Sequence, residues 1–295
     1  MKNFKYFILF LSLITIFEIT NSKDANAITA CATDSSGDIE YTNIPSAACI
    51  AVGAATNYEI TVKEIYLCTT APLAPTTSTP TDLSSCENIL LNSSATATSF
   101  AAGEDVSIPG TFKRPPNGTY SHAYVKFDNK FGITASMTFD ATKRGTKTTA
   151  TGQTCGTSAA EDDHDSSESS AQSVCGSSVT PGKLIEVIKQ MGAPGTFAAC
   201  VKDETVSAAS GGSCPSLGST NGYLVQSNFK LATASSNVDD FHGILAFPSS
   251  QKVTPDTTAF TVRFDVTNGV AVASTMSDTA VHIGLGPFAM SISIQ

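Results

Sequence analysis

The chain has 295 residues, a net charge of −9 and only 15% charged side chains, against roughly 25% in an average soluble domain. Its longest basic runs are Lys113-Arg114 and Lys143-Arg144, so it lacks the Lys/Arg patch that nucleic acid or an anionic membrane surface requires. Ser, Thr, Ala and Gly take up the space left by charge, a small-residue character common among exported β proteins and surface-layer or fimbrial proteins.

The first element is a leader. Lys2 and Lys5 precede an apolar run from Tyr6 to Phe17, and a polar segment then ends in Ala25-Asn26-Ala27. A positive start, a short apolar run and an A-x-A site are the pattern of a secretory signal peptide. The run is shorter than the roughly 20 apolar residues of a spanning helix. The reading is a signal peptide over 1–27, a mature start at Ile28, and a mature charge near −10, because Lys2, Lys5 and Lys23 outweigh Glu18 and Asp24 by one. No later run is long and apolar enough to span a bilayer as a helix.

All eight cysteines lie beyond the leader: Cys31, Cys49, Cys68, Cys86, Cys155, Cys175, Cys200 and Cys214. An even count in an exported chain is read as disulfides, although eight cysteines allow about a hundred connectivities. Adjacent pairing is expected, because the segments between Cys68 and Cys86 and between Cys200 and Cys214 are rich in Ser, Thr, Pro and Gly. Each bridge would close a loop of about 15–20 residues and add roughly 3 kcal/mol in the chain-entropy account. No C-x₂-C occurs and no cysteine pair has a histidine at finger spacing, so neither metal nor cofactor is expected. A lipobox-like reading of Ile28 to Cys31 competes, with Cys31 acylated. Lys23 and Asp24 interrupt it, and acylation would strand an odd cysteine.

Period-2 alternation dominates the chain beyond Cys49. Tyr58, Ile60 and Val62 share a face. The phase then slips at Lys63-Glu64 and continues through Ile65 and Leu67, which predicts a strand with a bulge. Tyr120–Phe127 predicts a second strand with Tyr120 and Tyr124 on one face. Asp128 to Lys130 then reads as a turn, and Phe131 to Phe139 as the returning strand. Residues 143–180 are polar and read as either a linker between two lobes or a stapled insertion, with Cys155 and Cys175 favouring the insertion. Thr180 as cap, Pro181, the spacing of Leu184, Ile188 and Met191, and Gly192 predict one short helix. Phe260 to Val266 alternates, Asn268-Gly269 marks a hairpin, and Val270–Ala273 returns. Val281 to Leu285 begins another strand. Phe288, Met290, Ile292 and Ile294 define the last one. Further strands, with weaker alternation, are expected at 105–109, 223–231 and 241–247.

Candidate chemistry is sparse. Glu161 to Asp165, with His164 among its acids, and Asp34 to Asp38 each gather carboxylates but lack the calcium-loop grammar. Both read as solvated loops. His122, His164, His242 and His282 are scattered. Asp239-Asp240-Phe241-His242 pairs carboxylates with an imidazole at a spacing that chance supplies often. No Gly-x-Ser-x-Gly elbow occurs, and the even cysteine count leaves no thiol for a nucleophile. Asn92 and Asn117 match the glycosylation acceptor pattern.

The segment from Tyr58 to Cys68, the strand from Gly118 to Phe127 and the ending from Gly286 to Gln295 resemble a loose set of uncharacterised exported bacterial β-sandwich proteins. The resemblance implies a fold and an exported location, and carries no catalytic residues. The expectation is therefore one all-β domain over 28–295, an antiparallel β-sandwich with disulfide-stapled loops, one short helix and a polar insertion near 143–180. Its expected role is a non-enzymatic structural or adhesive module of the cell surface or periplasm, pairing with itself or with other surface proteins. A secreted small-molecule or glycan-binding module is the alternative.

Overall fold

The computed structural model describes residues 8–9, 30–40, 49–51, 55–101, 106–164, 172–191, 197–202, 205–208, 220–274, 280–286 and 288–295. They form an all-β protein. In chain order the strands are β1 (Ile8–Leu9), β2 (Cys49–Ile50), β3 (Ala55–Cys68), β4 (Cys86–Leu91), β5 (Thr98–Phe100) and β6 (Thr111–Phe112). Then come β7 (Gly118–Gly145), β8 (Thr151–Thr157), β9 (Ala160–His164), β10 (Ser173–Gly176), β11 (Leu184–Ile188), β12 (Ala198–Lys202) and β13 (Thr205–Ala208). The last are β14 (Thr220–Val225), β15 (Asp240–Val253), β16 (Phe260–Asp265), β17 (Val270–Ser274), β18 (Ala280–Leu285) and β19 (Phe288–Ile294).

The organising element is β7, 28 residues without a break. Its first part lies between β3 and β15, with Val125 opposite Ile65 on one side and Gly243 on the other. Further on, β11 replaces β15 beside it, with Lys130 opposite Val187. Its last part pairs with β8 and, in parallel, with β18. Most pairings are antiparallel; β9 with β11 and β18 with β7 run parallel.

This arrangement corrects the hairpin expected at Asp128 to Lys130. The polar triplet is where β7 changes partners, not where it turns back. Asp128 is the last residue opposite β15 and Lys130 the first opposite β11. Asn129 is buried and donates from Nδ2 to the Ile188 carbonyl at 3.2 Å, so the side chain fills the gap between the two neighbours.

The helix expected near 181–191 is also corrected. Residues Leu184–Ile188 are the strand β11, and the one helical turn among the described residues is 3-10, at Ser235–Asn237. Ile185, Val187 and Ile188 are β-branched and favour a pleated surface. Two sheet neighbours, β7 and β9, outweigh a helix pattern of about three turns that could not persist alone. Glu161 to His164, expected in a solvated loop, lie in β9 beside β11.

Asn268-Gly269 is not a hairpin either. β16 pairs with β19, whereas β17 pairs with β18 and β2, so the chain passes from one sheet to another at this turn. The Gly269 amide donates to Val266 at 2.8 Å, and a Cβ there would stand 2.9 Å from the Tyr58 ring, which leaves room only for glycine. The small sheet of β1, β19 and β16 meets the large sheet through aromatic rings. Phe288 lies 5.8 Å from Phe131, 6.0 Å from Phe127 and 5.9 Å from Tyr58, within one continuous apolar core.

Among the described residues, three disulfides join Cys31 to Cys49, Cys68 to Cys86 and Cys155 to Cys175. Cys155 and Cys175 are direct cross-strand partners in β8 and β10, which places strands within residues 143–180. The expected partner of Cys200, Cys214, falls outside the described residues, as does most of the expected leader. The bulge expected at Lys63-Glu64 is present: Val62 faces Phe127 and Glu64 faces Lys126, so Lys63 is the extra residue.

Candidate functional site

Polar side chains gather on the face of the large sheet opposite the main core, where β3, β7, β15 and β14 run side by side. One row across the sheet reads Glu64, Lys126, His242, Tyr223; the next reads Tyr66, Tyr124, Ile244, Asn221. Alternation puts these residues on one face because each strand's side chains repeat every second position. The bulge at Lys63 sets the phase that turns Glu64 and Tyr66 toward this face.

The cluster is closed. Lys126 and His242 are buried. The Lys126 ammonium is 2.8 Å from Glu64 Oε1, and the Tyr66 hydroxyl bonds the other oxygen of Glu64. Phe229 lies over the ammonium, 4.1 Å from ring centroid to Nζ, and 5.8 Å from the His242 ring. Phe229 takes a left-handed φ of 63°, a conformation that costs a non-glycine residue about 1–2 kcal/mol. Two loops form the cover. The Phe229 turn is tied to the disulfide loop between Cys68 and Cys86 by the Leu231 amide, which donates to the Thr76 carbonyl at 3.0 Å.

Burial dominates the electrostatics. It drives the His242 imidazole well below its usual pKa, and the Lys126 and Lys63 ammonium groups push it the same way. The ring is therefore neutral at pH 7. Burial pushes the Tyr66 phenol up to about 12, with Glu64 adding to the shift, and raises Tyr124 as well. The Tyr124 hydroxyl meets His242 Nδ1, while His242 Nε2 and Asn221 Oδ1 have no hydrogen-bond partner among the described residues.

Beside this row, the bulged Lys63 reaches across β7. Its ammonium contacts Asp240 on β15 and stands 3.5 Å from Asp128 on β7, which faces Asp240 directly. Burial alone would lower the Lys63 pKa, but Asp240 and Asp128 outweigh it and hold the ammonium above its usual range. Asp240 is pushed up by burial, with Lys63 opposing and Asp128 assisting.

Of the residues singled out from the sequence, Asp240 and His242 belong to this cluster. Tyr124 belongs too, but Tyr120 does not. Tyr120 packs into the main core with its hydroxyl on the Pro116 carbonyl at 2.9 Å, because the pairing of β7 with β15 is irregular between Tyr120 and His122. Asp34 to Asp38 is a tight turn in which Asp34 Oδ1 accepts the amides of Ser36 and Asp38. His122 bonds Ser121, and His282 lies on β18, away from the cluster. Asn92 is buried and donates to the carbonyls of Val62 and Thr96, both at 2.9 Å, so in the folded chain it holds a loop instead of presenting itself to modification. Lys126, Glu64 and Phe229 were not singled out. The one signal for Lys126 is a cation between Val125 and Phe127 in an otherwise apolar strand.

No helix among the described residues is long and apolar enough to cross a membrane. The chain matches no protein-family model, no curated protein and no solved structure.

Proposed function

We propose that this is an exported structural or adhesive module of the cell surface or periplasm, with its two sheets layered as a sandwich and no catalytic role. The observation that carries the reading is the unbroken strand β7, flanked along its length by β3, β15, β11, β8 and β18. Disulfides join the neighbours of β7 to strands farther out, β3 to β4 and β8 to β10. A strand so held resists extension, which suits a module that transmits tension. The leader pattern and the disulfides fit an oxidising compartment. The last strand, β19, is paired with β16 along its length and buries Phe288, Met290 and Ile292. Among the described residues its other edge is covered by Ile8–Leu9 of the expected leader, at Ala289 and Phe288, so removal of the leader would open that edge to a neighbouring subunit's strand.

Light scattering and negative-stain microscopy of protein made in an oxidising compartment test the reading. Filaments or large oligomers support it. A monomer that also fails to adhere to cells or matrix sinks it.

A second reading rests on Phe229. A ligand that displaced this ring would reach the buried Lys126 ammonium and the His242 Nε2, which has no hydrogen-bond partner among the described residues. Such a ligand would carry a ring and an acidic acceptor, and benzoate is the simple probe. Calorimetric heat on adding benzoate, abolished by Lys126→Met, would favour this binding module.

A further inference from the structure

The three groups around Lys63 are arranged for a reaction as well as for an ion pair. Lys63 is the surplus residue of the β3 bulge, and a bulge re-aims the side chain it carries. Here it directs the amine over β7 to two carboxylates that face each other on adjacent strands. The side chains keep only 27%, 27% and 16% of their surface exposed for Lys63, Asp128 and Asp240. One ammonium facing two carboxyl groups leaves one of them free to be a neutral acid. Burial favours Asp240 for that form. A neutral carboxylic acid is the form an amine can attack, and groups fixed by three strands of one sheet need no encounter.

We propose that Lys63 and Asp240 condense into an intramolecular amide crosslink, with Asp128 carrying the protons. The Lys63 ammonium gives a proton to Asp128. The freed amine attacks Cγ of the protonated Asp240, forming the new C–N bond. Asp128 returns its proton to the Asp240 hydroxyl as the C–O bond breaks, and water leaves. Asp128 then takes the remaining proton from the amide nitrogen and yields it to solvent. One water is lost for each bond made, and nothing is oxidised or reduced. The product ties β3 to β15 across β7. The reaction is independent of whether the module is adhesive or ligand-binding.

The test is intact mass spectrometry and a tryptic map of the whole oxidised protein. The expected mass lies one water below that of the disulfide-bonded chain. Trypsin is blocked at Lys63, and the peptide containing Lys63 appears joined to the one containing Asp240. Lys63→Arg and Asp240→Ala each restore the lost mass. Asp128→Asn, with its fold verified by circular dichroism, remains unlinked. A wild-type mass without the deficit overturns the proposal whatever the variants do. So does a water loss with the two peptides separate, which would be a local Asp dehydration, or a junction at Lys126 and Glu64 instead.

Discussion

Tyr124 and His242, 118 residues apart in the chain, meet through the tyrosine hydroxyl and Nδ1 inside a sheet face sealed from solvent. The contact is made because β7 and β15 are antiparallel with His242 opposite Lys126, one pleat from Tyr124. A neutral imidazole held this way makes the fold sensitive to acid.

Burial depresses the folded pKa of His242, whereas the unfolded ring titrates near about 6.5. Below that value the unfolded chain binds a proton that the folded chain does not. Stability is therefore present in full above the unfolded pKa and declines as pH falls, by at most about 1.4 kcal/mol per pH unit for one group. His122, also lowered by burial, adds in the same direction. In chains where Asp240 is not crosslinked, its raised carboxyl opposes this at lower pH in the carboxylate range. Urea unfolding from about pH 7.5 to about pH 5 should show a falling midpoint, and His242→Gln should flatten the slope. An unchanged slope in that variant would remove His242 as the source of acid sensitivity.

Phe229 covers Lys126. Phe229→Ala removes the ring and its cation–π contact, which at a desolvated site is worth about 2 kcal/mol. The variant should remain folded, lose about that much stability, and expose Lys126 to acetylation. Peptide mapping after brief treatment with an acetylating reagent reads the change directly. Equal labelling of Lys126 in both proteins would show that the ring is not its cover.

The disulfide between Cys68 and Cys86 closes 18 residues of chain. Replacing both cysteines by serine should cost roughly 3 kcal/mol in denaturant unfolding. Because this loop is tied to the Phe229 turn through Leu231 and Thr76, amide exchange should rise at Leu231 as well. Exchange confined to the loop would mean that the two covers act separately.

Phe288 joins the small sheet to the large one through Phe127, Phe131 and Tyr58. Phe288→Ala should cost about 3–5 kcal/mol, with loss of exchange protection centred on β16 and β19. Thermal unfolding with exchange mass spectrometry checks both parts.

Strands are legible in the sequence where alternation is strict, as in Phe260 to Phe264 and Phe288 to Ile294, and the slip in phase marks the bulge at Lys63-Glu64. The sequence misleads where a local signal has two structural uses. Asn268-Gly269 is a tight turn in either setting, and which strands it joins depends on Tyr58, more than 200 residues away. Asp128 to Lys130 carries the composition of a turn, yet those residues serve a change of neighbour along β7. Leu184 to Met191 fits a helix face, but β7 and β9 supply a sheet. The polar cluster is half legible. Asp240 and His242 stand out in the sequence, whereas Glu64 and Lys126 become neighbours only through pairing of strands distant in sequence.

If β7 is a strapped spine that resists tension, pulling single molecules from their two ends should produce one high-force rupture. In Lys63→Arg, which cannot form the Lys63–Asp240 crosslink, the subsequent extension should fall short of the full chain by at least the 18, 18 and 20 residues closed by the disulfides among the described residues, and the same protein reduced should rupture at lower force. A chain that unravels in several low-force steps, with no difference on reduction, would rule out a tension-bearing role for β7.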